Sequence, residues 1–196
     1  MWNSMKRKRS ARNRRARRCL FLLALLALLL IWPRTVHLEG LVSPYAILVD
    51  ADSGEAVAEK KADVSIYPAS MTKVMTALLA LEANPDLEQP VTLPEDIFPE
   101  LRAEGASMAG FRPGETATVR DLLYGALLPS GAECCEALAR EVSGSEEAFV
   151  ELMNQKAAEL GMRSTHFCNS TGLHDPEHVS TVRDMARLLR AAMQNE

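Results

Sequence analysis

Tyr67-Pro68-Ala69-Ser70-Met71-Thr72-Lys73 is the stretch on which both fold and chemistry turn. Ser70 and Lys73 stand three residues apart at the start of a predicted helix. That helix runs from about Ser70 to Leu81 and ends near Asn84-Pro85, where proline forbids continuation. Three residues is close to one helical turn, so the two side chains share a face. A serine hydroxyl is a weak nucleophile until a base takes its proton. Lysine serves as that base once burial or nearby positive charge lowers its pKa. Backbone N–H groups at the helix start would face a developing oxyanion. The same spacing also arises by chance, as a capping serine beside a solvated lysine. The surrounding sequence decides between the two.

Upstream, Tyr45-Ala46-Ile47-Leu48-Val49-Asp50 reads as a buried strand, Asp52-Ser53-Gly54 as a turn, and Glu55-Ala56-Val57-Ala58-Glu59 as the returning strand. Downstream, residues 85 to 117 are rich in Pro, Gly and acids and read as loops with short pieces of structure. Helices are predicted over Val119 to Leu128 and Glu133 to Glu141. Another is capped at Ser143, with Glu146 three residues on, and runs to about Leu160 before Gly161. Thr181-Val182-Arg183-Asp184 opens a last helix to about Met193.

The segment from Tyr67 to Glu82 closely resembles the active-site segment of serine D-alanyl-D-alanine carboxypeptidases, the low-molecular-mass penicillin-binding proteins. Ile47 to Glu55 looks like that family's opening hairpin. Thr118 to Gly131, ending in Leu128-Pro129-Ser130-Gly131, looks like the run into its second motif. Ala148 to Asn154, Leu160 to Asn169 and Thr171-Gly172-Leu173 resemble later blocks. The similarity covers roughly residues 44 to 193, in the family's order. It implies an α/β (α+β) fold, β-lactamase/transpeptidase-like, with an antiparallel sheet and a helical subdomain. It further implies that Ser70 is acylated by the penultimate D-Ala of a peptidoglycan stem peptide ending in D-Ala-D-Ala. Lys73 takes the Ser70 proton and Ser130 relays a proton to the departing D-Ala. β-Lactam antibiotics would acylate the same serine, with no cofactor and no metal.

Two positions depart from the family pattern. The second motif is usually Ser-x-Asn, and here it reads Ser130-Gly131-Ala132. The third motif, Lys-Thr-Gly, does not occur, and no lysine follows Lys156. The expectation is therefore a domain over residues 44–196 that lacks its C-terminal strands, unstable and inactive by itself. Two other readings compete: a catalytically inactive remnant or binding protein, and a β-lactamase, which the flanking blocks favour less.

The N-terminus has a separate role. Nine basic residues lie within residues 1–18, and removing them from the 22 basic residues leaves 13 against 26 acidic ones. A charge-free apolar run, Cys19 to Trp32, follows at once. A basic n-region ahead of such a run is an export signal, not a nucleic-acid contact. Its 14 residues make a helix only ~21 Å long, short of the ~30 Å hydrocarbon core. Yet Pro33-Arg34-Thr35-Val36-His37 contains no A-x-A-like cleavage site. Residues 19–32 thus read as export signal or membrane anchor, 33–43 as a linker, and the remainder as extracytoplasmic, in the cell envelope. Cys134, Cys135 and Cys168 have no metal-ligand spacing; they read as buried small side chains or as one bridge to Cys168. His166, His174 and His178 fall in what the resemblance makes a structural loop near the active-site helix. Met71 and Met75 read as core.

Overall fold

The structure, a computed structural model, describes residues 36, 38, 40–84 and 86–195. The basic segment and the apolar run read as export signal or membrane anchor lie outside the described residues, as do several linker positions. Among the described residues, no helix is long and apolar enough to cross a membrane. The chain divides into two units, Met1–Val36 and His37–Glu196, and every element below belongs to the second.

Strands β1 (Ala46–Val49) and β2 (Ala56–Lys60) form an antiparallel hairpin in the register Ala46↔Lys60, Ile47↔Glu59, Leu48↔Ala58. Asp50 closes the turn: its Oδ1 accepts from Ser53 N and Ser53 Oγ, both at 2.8 Å, and Gly54 takes φ +78°. The hairpin is less buried than predicted. Leu48 and Val57 are exposed, because among the described residues only two strands pair here.

A single 3₁₀ turn, Ala69–Thr72, leads into α1 (Lys73–Ala83). The predicted helix start thus contracts to a tighter turn at Ser70, as is common at helix N-termini. Beyond it come β3 (Pro90–Thr92), α2 (Ile97–Ala103) and β4 (Thr116–Thr118), with β3 and β4 antiparallel. Four helices complete the unit: α3 (Val119–Leu127), α4 (Ala132–Ser143), α5 (Glu146–Glu159) and α6 (Val182–Met193).

Helix α1 is the centre of the fold. An isolated surface helix shows one apolar stripe; one that is apolar around its circumference must be covered on all sides. Ala77 and Ala80 face a core with Leu93, Phe98, Leu122 and Leu138, supplied by the β3 region and by α2, α3 and α4. Met75, Leu78 and Leu79 face a second core with Phe149, Met153, Phe167, Met185 and Leu188. Burying one such Phe or Leu is worth about 1.5–3 kcal/mol. Met75 is core as predicted, whereas Met71 is exposed beside Ser70.

The helix caps follow sequence chemistry with one correction. Thr118 and Asp121 form a reciprocal capping box on α3. Thr181 caps α6 by accepting from Asp184 N. Helix α5 is capped by Ser145, not Ser143. The Ser143 side chain instead donates to Ala139 O within α4, which Gly144 ends at φ +83°. Arginines on α6 pin the hairpin: Arg183 pairs with Asp63 at 2.6 Å and with Glu59, and Arg190 donates to Ala51 O and Asp52 O.

Candidate active site

The site forms where the 3₁₀ turn, the α3–α4 connection and the loop after Phe167 meet. Ser70 is exposed on the turn, while Lys73, one turn later, is buried at the start of α1. Lys73 Nζ lies 3.4 Å from Ser70 Oγ and donates to the Thr171 carbonyl at 2.6 Å. Ser130 Oγ donates to Ser70 Oγ at 2.8 Å. All three residues named from sequence are therefore together, although Ser70 and Ser130 are 60 positions apart.

The backbone is bent to achieve this. Ala69 has φ +49° and Ser130 φ +65°, left-handed values unusual for non-glycine residues. Such strain costs on the order of 1–3 kcal/mol and persists where surrounding structure enforces it. Gly172 supplies part of that enforcement. A Cβ on Gly172 would sit 1.9 Å from Ala69 O and 2.4 Å from Ala69 C, so only glycine lets the loop lie against the Ala69–Ser70 peptide. Gly131 similarly lets the second motif close on Ala109.

Burial pushes the Lys73 pKa below its ordinary 10.5, against the opposing pull of Cys135 and Glu133. Desolvation disfavours the ammonium and so favours the free amine, the form able to take a proton. A neutral amine can give one hydrogen to Thr171 O and still turn its lone pair toward Ser70. The arrangement can thus activate a serine hydroxyl and shuttle its proton through Ser130.

Several contributing residues had no sequence signal strong enough to assign. The Thr171 carbonyl that receives Lys73 is backbone, invisible to a side-chain motif. Thr76 Oγ1 donates to Ser170 O at 2.6 Å, tying α1 to the same loop. Asn169 Oδ1 accepts from Gly172 N at 2.7 Å and shapes the bend. His178 is buried: its Nδ1 accepts from Cys168 N at 3.2 Å, which leaves Nε2–H to donate to Thr72 Oγ1 at 2.8 Å. That network requires the neutral ring, and burial lowers the His178 pKa from its ordinary 6.5. Titration by NMR is expected to show an Nε2–H tautomer at neutral pH and a midpoint below 6.5; a midpoint above that value would contradict the network. The loop thus packs on the active-site helix as the resemblance implied.

Glu133 does not stand in for the missing asparagine. Its Oε1 accepts from Ala109 N and Gly110 N at 2.7 and 2.9 Å, and its buried Oε2 has no partner among the described residues. The methyl of Ala132 is buried and offers no hydrogen bond. Cys134, Cys135 and Cys168 are free thiols, the first two buried, so no bridge forms. Burial pushes Cys135 up to about 12, an unreactive thiol. Among the described residues, no group of three or more His, Cys, Asp or Glu is placed to hold a metal ion.

Residues 34–196 match the sequence family described as D-alanyl-D-alanine carboxypeptidase. This chain belongs to that family. It is 37% identical over 151 residues to D-alanyl-D-alanine carboxypeptidase DacF of Bacillus subtilis, covering 77% of this chain and 39% of that protein. It is 41% identical over 157 residues to DacC of Escherichia coli, covering 76% and 39%. The chain therefore spans about two-fifths of the length of these curated relatives. A mutant of the Streptomyces K15 DD-transpeptidase superposes with a TM-score of 0.75 at 31% identity, over 78% of this chain and 62% of that one. Penicillin binding protein 6B from Escherichia coli superposes with a TM-score of 0.77 at 29% identity, over 84% and 54%. The fold is that of these DD-peptidases: mixed helices with small antiparallel sheets.

Proposed function

We propose that the protein is a serine D-alanyl-D-alanine carboxypeptidase that removes the terminal D-Ala of peptidoglycan stem peptides through an acyl-enzyme on Ser70. The observation that carries this reading is the Ser130–Ser70–Lys73 chain of contacts at 2.8 and 3.4 Å, within a family whose members bear that activity in their names. In the first step Ser70 Oγ bonds to the penultimate D-Ala carbonyl carbon as its proton passes to Lys73 Nζ. The C–N bond to the terminal D-Ala then breaks, and Ser130 passes a proton to the departing amine. Water attacks the resulting ester and releases the shortened peptide, restoring the Ser70 hydroxyl. β-Lactams, whose strained amide occupies the place of the D-Ala-D-Ala bond, acylate Ser70 by the same first step. The basic n-region and apolar run at residues 6–32 support export to the cell envelope, by secretion or with residues 19–32 as membrane anchor.

Release of D-alanine from an acylated peptide ending in D-Ala-D-Ala tests the reading. The full-length protein is expected to release it, and to leave the same peptide ending in L-Ala intact. No release from either peptide, with a folded protein, would overturn the assignment. Bound penicillin is expected to leave slowly; rapid turnover would favour the β-lactamase reading. Ala132 is the observation that favours an inactive binding protein, and that reading would show as reversible peptide binding with no D-alanine released.

A further inference from the structure

The Lys73 acceptor is a backbone carbonyl on a loop, and the loop must be held from behind. Its anchor is Glu146, the first residue of α5. Glu146 Oε1 accepts from Ser170 N at 2.8 Å and from Ser170 Oγ at 2.7 Å. Ser170 is fully buried, and the next carbonyl along the chain is the one that Lys73 Nζ reaches. Acidic residues in a helix's first turn ordinarily just favour the dipole. Here one of them reaches 24 positions along the chain instead.

A second acid supports the first. Glu136 on α4 lines the same cavity as Glu146. Burial first, then the contact with Glu146, pushes Glu136 up to about 8, while Arg140 on the same helix, 3.9 Å away, pulls the other way and Glu100 of α2 adds to the rise. A protonated Glu136 can donate to one oxygen of Glu146 and leave Oε1 free to accept from Ser170. The pair lines a cavity of about 480 Å³ that also borders Asn169 and Thr171, so on that side the loop faces open space beside these carboxyls.

We propose that Glu146 is a positioning residue, fixing the Ser170–Thr171 backbone so that the Thr171 carbonyl holds Lys73 Nζ within reach of Ser70. The proposal rests on Lys73 being the base of the reaction above. Without the anchor, the loop relaxes into the cavity, water reaches Lys73, and the amine loses the desolvation that lowers its pKa.

The test uses the native protein and Glu146→Ala and Glu146→Gln variants, with two readouts. Lys73 is titrated by NMR of its ε-methylene group, assigned through Lys73→Arg, whether or not the site reacts. Acylation by penicillin is timed as a function of pH. Glu146→Ala is expected to move the Lys73 midpoint up toward 10.5 and slow acylation by about 10²-fold, the effect of a small misplacement of a catalytic group. Glu146→Gln is expected to restore both, since its amide oxygen still accepts from Ser170 and its amide N–H can donate to an ionised Glu136. An unchanged Lys73 midpoint and rate in a folded Glu146→Ala protein would overturn the proposal, whatever its melting temperature. If that variant does not fold, Ser170→Ala carries the test: a smaller shift in the same direction supports the proposal, and none refutes it. A native protein that never takes up penicillin would sink the hydrolase reading and leave the Lys73 titration to decide this one.

Discussion

Lys73→Arg is expected to slow acylation of Ser70 by about 10²–10⁴-fold, the range of general-base contributions. Arginine keeps a positive charge and donors for the Thr171 carbonyl, but its guanidinium does not give up a proton at any working pH. The substitution therefore separates the two roles proposed for the lysine: filling the buried site and accepting the Ser70 proton. With the free amine as base, as proposed, the rate is lost as pH falls through the Lys73 pKa and present above it. Burial places that limb below 10.5. In Lys73→Arg the limb should vanish along with the rate. Timed penicillin labelling between pH 6 and 10 makes the comparison. Lys73→Met is the companion variant, removing base and charge together, and should be equally slow. A rate near the native one in either folded variant would remove Lys73 from the chemistry.

The second large effect is expected at a residue that carries no side chain. Gly172→Ala should lower the stability of the fold by about 3 kcal/mol or more. Two costs add: a non-glycine residue at φ +81°, on the order of 1–3 kcal/mol, and an overpacked contact with the Ala69 carbonyl, of similar size. The clash cannot be relieved by a flexible side chain, because the atoms met are backbone. Either the loop lifts, drawing the Thr171 carbonyl from Lys73, or the Ala69–Ser70 peptide shifts. Both outcomes damage the site, so melting temperature and acylation rate should fall together. Thermal unfolding with penicillin labelling checks this. A Gly172→Ala protein matching the native one in both would mean that the loop does not press on the nucleophile's peptide.

The legible parts of this molecule were those written in local chemistry. The helix end at Asn84, the Thr181–Asp184 cap and the turn at Asp52-Ser53-Gly54 each act within a few residues, and each appears as read. Ser70 and Lys73 were visible because one helical turn brings them together. The failures have physical causes as well. Ser143 and Ser145 both offer a hydroxyl near the start of α5, and only the fold shows which N–H groups each one meets. Met71 looks like core by composition, yet the 3₁₀ turn rotates it outward next to Ser70. Contacts with Lys73 and Glu146 made through backbone groups 98 and 24 positions away leave no pattern in one sequence. The departure at Ala132 was visible, but the destination of Glu133 was not. Its carboxyl is committed to the Ala109 and Gly110 backbone N–H groups, and Ala109 packs against Gly131.

The most direct test is the intact mass of the full-length native protein after exposure to penicillin, followed by mapping of the modified peptide. A single adduct is expected, carried by Ser70 in the peptide that contains Met71-Thr72-Lys73, and absent from Ser70→Ala. A folded native protein that gains no mass, or one whose adduct lies on another residue and survives in Ser70→Ala, would contradict the assignment of Ser70 as nucleophile.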